Sequence, residues 1–256
     1  MSATPPTPAH LLILGGTGDA ASLAERALKR FGARLRVTSS LAGRTLAPRS
    51  LPGEVRSGGF GGVGGLVRYL ASERIDMLID ATHPFAAHIT GNARRACRRA
   101  GVPHLLLQRP PWTPVQGDDW IEVADEIEAK TKLKELGRPA FLALGTGELD
   151  AFRTLRGLRL VARVAEPPRR TPLPGAEIVV GRGPFREREE AALFRRLRIG
   201  VVVSRNSGGE ASYGKIAAAR KLGLPVVMIR RPPAASEDSV ATVEEALAWI
   251  AERLET

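Results

Sequence analysis

The chain of 256 residues reads as an α/β protein built on parallel sheets, and three features of its order predict this. Short apolar runs alternate with helical patterns, the first run opens directly into a glycine turn and a helix, and the same theme restarts in the second half. Such alternation marks crossover units, in which each helix carries the chain back so that the next strand runs parallel to the last.

Leu11-Leu12-Ile13-Leu14 is apolar at every position, as expected of a strand covered on both faces. Gly15-Gly16-Thr17-Gly18-Asp19-Ala20-Ala21 follows at once, and an Ala/Leu-rich helix is expected over 18–31. Strand 34–39, helix 62–73, strand 77–80, helix 85–100 and strand 104–107 complete the first half. At Arg109-Pro110-Pro111-Trp112 the pattern breaks, because consecutive prolines cannot continue a helix and push the preceding residue to extended geometry. A hinge is therefore expected near 110–120. The second half predicts helix 123–136, strand 139–144, a Gly145-Thr146-Gly147 turn, strands 158–164 and 176–180, helix 185–198, strand 200–204, helix 212–222 and strand 225–229. A terminal helix over about 242–254 closes the chain. The organisation expected is a disordered tail over 1–9, a dinucleotide-binding domain over 10–115 and a second domain over 116–256.

With 38 Lys and Arg against 27 Asp and Glu, the formal charge of +11 points to an anionic partner. Aromatic residues make up only 5% and no basic-aromatic stacking pattern occurs, so nucleic acid is disfavoured. No apolar stretch approaches membrane-spanning length, and the Pro- and Thr-rich start lacks the basic-then-apolar order of a signal peptide. Cys97 is the single cysteine, so a buried structural thiol in a reducing cytoplasm is expected. His10, His83, His88 and His104 make no convincing ligand set with it, and no metal site is expected.

Ligands of open parallel sheets bind at the carboxyl ends of strands, and four such ends carry small or polar clusters. Gly16, Gly18 and Ala21 match the G-x-G-x-x-G/A spacing, in which a tight turn brings backbone N–H groups and a helix N-terminus to a pyrophosphate; glycine turns also end strands for geometry alone. Ser39-Ser40-Leu41-Ala42-Gly43-Arg44 lacks the acid that usually accepts an adenosine ribose hydroxyl, and hydroxyls with Arg44 suit a 2′-phosphate, or an ordinary polar loop. Ser57-Gly58-Gly59-Phe60-Gly61-Gly62-Val63-Gly64-Gly65 precedes a helix, where it could face a phosphate or serve as a linker, although a spacer has no need of Phe60. Asp80-Ala81-Thr82-His83-Pro84-Phe85 ends a strand with an acid, a hydroxyl and an imidazole, which suit proton chemistry or helix capping. In the second half Ser204-Arg205-Asn206-Ser207-Gly208-Gly209, followed by Tyr213 and Lys215, offers a second anion site, or a cap with a solvated lysine.

Taken in order with Arg109-Pro110-Pro111-Trp112, Arg182-Gly183-Pro184-Phe185 and Pro225-Val226-Val227-Met228-Ile229, these segments resemble the precorrin-6A reductase family of cobalamin (vitamin B12) biosynthesis over about residues 11–232. The string Asp80-Ala81-Thr82-His83-Pro84-Phe85 is its specific part. The resemblance implies two Rossmann-like domains with parallel sheets and an interdomain cleft, and an oxidoreductase moving hydride from NADPH to a macrocycle double bond to give precorrin-6B. By resemblance, Gly16, Thr17, Gly18 and Asp19 take the cofactor's phosphates, Ser39, Ser40 and Arg44 the 2′-phosphate, and Gly59, Phe60 and Gly61 the nicotinamide half. Thr82, His83 and Tyr213 are the catalytic candidates, and Arg205, Ser207, Gly208 and Lys215 grip substrate carboxylates. The anionic tetrapyrrole gives the basic charge a partner, and channelling with neighbouring pathway enzymes is a further expectation. Two positions depart from the family's usual residues, with Asp19 in place of Glu and Arg205 in place of Lys; arginine cannot give up a proton. The alternatives are a cobalt-precorrin-6A reductase using NADH and a non-catalytic nucleotide-binding sensor.

Overall fold

In the computed structural model, which describes residues 7–43, 51–168, 172–232 and 238–255, the chain forms two compact units. The first comprises Met1–Arg109 and Pro232–Thr256, the second Pro110–Arg231. In chain order the elements are β1 (Ala9–Leu14), α1 (Gly18–Phe31), β2 (Leu35–Leu41), β3 (Glu54–Ser57), α2 (Gly62–Ser72), β4 (Met77–Asp80), α3 (Ala87–Ala100) and β5 (His104–Leu107). The second unit adds β6 (Trp120–Val123), α4 (Glu126–Leu136), β7 (Ala140–Ala143), β8 (Leu160–Val164), β9 (Glu177–Val180), α5 (Glu187–Arg196), β10 (Val201–Arg205), α6 (Gly214–Lys221) and β11 (Val226–Ile229). The chain then ends with β12 (Ser239–Val240) and α7 (Val243–Leu254).

Both sheets are parallel and six-stranded, as the alternation of elements predicts. The first runs β12-β5-β4-β1-β2-β3, which is the Rossmann strand order with β12 as the outermost strand. The second runs β6-β11-β10-β7-β8-β9, so its outermost strand beside β11 comes from the start of the unit instead of its end. In each sheet the order reverses between two central neighbours, β1 and β4 in the first and β7 and β10 in the second.

Strand alternation distributes the first core. Leu11 and Ile13 of β1 join α1 and α7 through Leu23, Ala27, Leu247 and Ile250, whereas Leu12 and Leu14 join α2 and α3 through Leu66, Leu70, Ala93 and Cys97. This explains why β1 is apolar throughout. In the second unit Phe141, Val202 and Met228 pack with Phe194 of α5 and Ile216 of α6. Caps set helix starts: Thr17 accepts from Ala20 N–H, Asp125 accepts from Ile127 and Glu128 N–H, and Thr242 with Glu245 forms a reciprocal capping box.

Several boundaries differ from those expected. Strands β3, β6 and β12 are absent from the sequence reading: β3 is a polar edge strand, β6 is four residues long and abuts a helix, and β12 has two residues. Because β6 occupies 120–123, α4 begins at Glu126 and not at 123. The first division falls at Arg109 and Pro110, but residues from Pro232 onward, counted with the second domain, return to the first unit. There β12 pairs with β5 and α7 buries Val243, Ala246, Leu247 and Ile250 in the first core. Of the tail expected over 1–9, residues 1–6 lie outside the described residues, and β1 begins at Ala9.

Two buried polar features carry predictions. Arg163 and Glu190 form a bidentate pair at 2.8 and 2.6 Å, with side chains only 8% and 4% exposed. The guanidinium lies 4.8 Å from the Phe141 ring centroid and 4.0 Å from that of Phe185. Removing one partner strands a buried charge, so Glu190→Gln lowers stability by about 3 kcal/mol in urea denaturation, whereas replacing both partners with apolar residues recovers most of that loss. Cys97 is buried in α3, and burial, with Asp80 as a smaller contribution, pushes its thiol up to about 12. The thiol is therefore protonated at pH 8, so iodoacetamide modifies Cys97 only in unfolding denaturant; rapid native alkylation contradicts this.

Candidate active site

The exits of β1 and β4 meet at the reversal point of the first sheet. Ala81 N–H donates to Leu14 O at 3.0 Å, and the Thr17 hydroxyl donates to Ala81 O at 2.7 Å while accepting from Ala20 N–H at 3.1 Å. Thr17 thus caps α1 and pins its first turn to the β4 exit. Gly16 has φ +107°, a left-handed conformation suited to glycine, and a Cβ at Gly16 or Gly18 would meet nothing within 4 Å. Open space therefore lies beside helix N–H groups that lack intrahelical partners, an arrangement that fits a phosphate. Asp19, in the first turn, pairs with Arg109, a partner the sequence reading did not identify.

Beyond β4, Asp80 is fully buried and its Oδ1 accepts from both Thr82 N–H at 3.0 Å and Thr82 Oγ1 at 2.7 Å. The Thr82 proton is thereby directed at the carboxylate, which leaves Thr82 Oγ1 as an acceptor. His83 Nδ1 accepts from Phe85 N–H at 3.3 Å, so a neutral ring carries its proton on Nε2. The turn from His83 to Ala86 delays α3 to Ala87, two residues after the expected start.

On the neighbouring exits of β2 and β3, strand alternation places Ser39 and Ser40 on opposite faces. Ser39 is 2% exposed and its Oγ has no hydrogen-bond partner among the described residues. Ser40 Oγ accepts from Arg56 Nη1 at 2.7 Å. Arg44 lies outside the described residues. The same Arg56 donates to Gly58 O at 3.0 Å and Gly59 O at 3.2 Å, and stacks 3.9 Å from the Phe60 ring centroid. Phe60 meets Tyr69 edge to face at 5.2 Å. The glycine run has a packing reason as well, since a Cβ at Gly65 would overlap the Phe60 carbonyl. Arg56 stands just before the singled-out run, on an edge strand whose polar sequence hid it.

At the β10 exit Arg205 binds two carboxylates, Glu126 at 2.7 Å and Glu148 at 3.0 Å. Neither glutamate was marked by the sequence, because one opens a helix and the other follows a turn. Asn206 holds the backbone of Trp112 at both ends, accepting from its N–H at 2.7 Å and donating to its O at 2.9 Å. Ser207 is 6% exposed, and a Cβ at Gly208 would overlap the Pro110 carbonyl. Lys215 is not a solvated helix residue: it is 5% exposed, donates to Ser212 O at 2.8 Å and lies 4.8 Å from the Trp112 ring centroid. The Tyr213 ring meets that of Trp112 at a tilt of 56°, with centroids 5.7 Å apart, and its hydroxyl accepts from Arg220 at 3.2 Å. The structure thus gathers Gly16, Thr17, Gly18, Thr82 and His83 at one reversal point, and Arg205, Ser207 and Gly208 at the other. Tyr213 and Lys215 instead enter the packing around Trp112. Among the described residues no cluster of three or more His, Cys, Asp or Glu could hold a metal, and no helix is long and apolar enough to cross a membrane.

The profile of the precorrin-6x reductase CbiJ/CobK family matches residues 10–251. A precorrin-6A reductase of Rhodococcus erythropolis is 44% identical over 242 residues, covering 94% of this chain and 97% of that protein. A cobalt-precorrin-6A reductase of Salmonella typhimurium is 30% identical over 264 residues, covering 94% and 97%. The solved structure of CobK precorrin-6A reductase superposes with a TM-score of 0.90 at 41% identity, covering 96% of this chain and 97% of that one. With near-complete coverage in sequence and in fold, the chain belongs to the precorrin-6x reductase CbiJ/CobK family and is an oxidoreductase.

Proposed function

We propose that this protein reduces precorrin-6A to precorrin-6B in cobalamin biosynthesis, with NADPH as the hydride source. The observation that carries the reading is the 44% identity to a precorrin-6A reductase over nearly the full length of both chains. Cobalt-precorrin-6A reductases are also relatives, but at 30% identity. The lack of an acid at the end of β2, where Ser40 stands, supports a phosphorylated adenosine ribose.

When bound, the nicotinamide cofactor supplies the hydride. Gly16, Thr17 and Gly18 are proposed to hold its pyrophosphate at the α1 N-terminus, with Asp19 orienting Arg109 beside them. Ser39, Ser40 and Arg44 form the 2′-phosphate side of the proposal, Ser39 from its buried position as support; Gly59, Phe60 and Gly61, expected beside the nicotinamide half, are instead proposed to border this same end of the cofactor, because Arg56 joins Gly59 O and the Phe60 ring to Ser40. Thr82, fixed by Asp80, orients the reacting region as a hydrogen-bond acceptor. His83 is the proposed proton donor as the imidazolium, and the loss of one proton returns it to the neutral ring whose Nδ1 accepts from Phe85 N–H; the hydroxyl of Tyr213 is the second candidate. In the second unit Arg205, Ser207 and Gly208 are proposed to meet substrate carboxylates, with Lys215 bracing Trp112 behind them. Glu126 and Glu148 hold Arg205 in one orientation, and a substrate carboxylate would compete with them for its donors. The +11 charge suits the anionic macrocycle. Cytoplasmic action and hand-over of product to neighbouring pathway enzymes belong to the same proposal.

Purified protein mixed with precorrin-6A and NADPH is expected to oxidise the cofactor and yield a product heavier by two hydrogens in mass spectrometry. NADH preference redirects the assignment to the cobalt branch, and cofactor binding without turnover on either macrocycle overturns the reductase reading. His83→Gln is expected to lower kcat by about 100-fold or more with little change in the NADPH dissociation constant. An unchanged kcat, checked by steady-state kinetics, removes His83 as proton donor.

A further inference from the structure

Arg36 of β2 and Arg56 of its edge neighbour β3 have different partners. At the amino end of the β2 and β3 pair, Arg36 grips Glu54 through Nε at 2.8 Å and Nη2 at 2.7 Å, so its charge is balanced. At the carboxyl end, the register sets Ser40 directly opposite Arg56. There the guanidinium meets a hydroxyl and two carbonyls, Ser40 Oγ, Gly58 O and Gly59 O. Among the described residues no carboxylate lies within ion-pair distance of Arg56. The contacts with the Phe60 and Tyr69 rings, at 3.9 and 5.0 Å, hold the group in place without neutralising it.

A guanidinium has five N–H groups. Both on Nη1 and one on Nη2 are engaged by Ser40, Gly58 and Gly59. No described residue accepts from Nε–H and Nη2 keeps one N–H, so donors remain on the Nε and Nη2 edge, the edge with which Arg36 holds a carboxylate. Open space lies alongside, since a Cβ at Gly58 or Gly59 would meet nothing within 4 Å. The β2 exit also sits against this corner, with Gly58 N–H donating to Leu41 O at 2.9 Å.

We propose that Arg56 is the specificity-determining residue for the cofactor's 2′-phosphate, its Nε and Nη2 fork taking the phosphate while its Nη1 edge holds the glycine loop. The inference rests on the NADPH reading above. It also gives Ser40 a physical role. An acid at that position would bind the guanidinium and cancel the charge, whereas a hydroxyl orients it and leaves the charge available for an anion.

The test is the ratio of dissociation constants for NADH and NADPH, measured by fluorescence titration in wild type, Arg56→Ala and Arg56→Lys. Wild type is expected to favour NADPH. Arg56→Ala is expected to cut that preference by about 10- to 100-fold, and Arg56→Lys, which keeps the charge and loses the fork, by less. Using the ratio removes any general weakening caused by a loosened glycine loop. A second probe avoids the nicotinamide end: adenosine 2′,5′-bisphosphate should lose affinity for Arg56→Ala by the same factor, while adenosine 5′-monophosphate does not. A wild-type preference for NADPH that survives in Arg56→Ala overturns the role of Arg56 alone. A wild type without that preference overturns the NADPH reading and this inference together.

Discussion

Every strand pairing in the two sheets is parallel, and the arrangement of the chemistry follows from this constraint. A parallel pair needs a crossover on a sheet face, so each sheet is covered on both sides and its strand exits all fall at one edge. At the reversal of strand order the crossovers on either side leave in opposite directions, and the loops there part from one another. In the first unit that point collects Gly16, Thr17, Thr82 and His83 from segments more than sixty positions apart in the chain. The second unit repeats the device with Gly145 to Glu148 on one side and Arg205 to Gly208 on the other.

At these exits the polar groups are largely satisfied within their own unit, and this shapes what they can do. Thr17 uses its hydroxyl twice, as cap and as tether, so the glycine turn is held rigidly at the sheet edge. Asn206 uses its amide in the manner of a strand neighbour and locks the backbone of Trp112. Asp19 pairs with Arg109, and Arg205 with two glutamates, so strong cations and anions are already matched at these points. Such pre-orientation reduces the reorganisation needed when an anionic ligand arrives. Arg56 differs because its partners are neutral, and its charge remains available at the edge.

The C-terminal segment shows how an edge strand can come from a distant part of the chain. The first unit lacks its outermost strand until β12 returns to pair with β5, and α7 then packs on α1 and β5 in the core that holds Leu23, Ala27 and Leu105. The second unit fills its corresponding edge with β6, from its own beginning. The two sheets thus reach the same size by different chain routes.

The sequence alone determined the α/β class, the parallel alternation and most helices, because a strand buried on both faces must be apolar throughout and a helix covering it must carry a periodic stripe. The glycine turn after β1 and the Asp80 to Phe85 segment were also legible as strand exits, since each follows an apolar run and precedes a helical pattern. Tertiary structure alone decided the rest. Edge strands β3 and β12 carry no apolar signature, because water covers part of them, and the return of α7 to the first unit depends on which exposed core it can bury. Sequence spacing could not reveal that Ser40 stands opposite Arg56, that Lys215 turns inward, or that Glu126 and Glu148 converge on Arg205. Those facts are set by sheet register and by contacts between residues far apart in the chain, which local pattern does not encode.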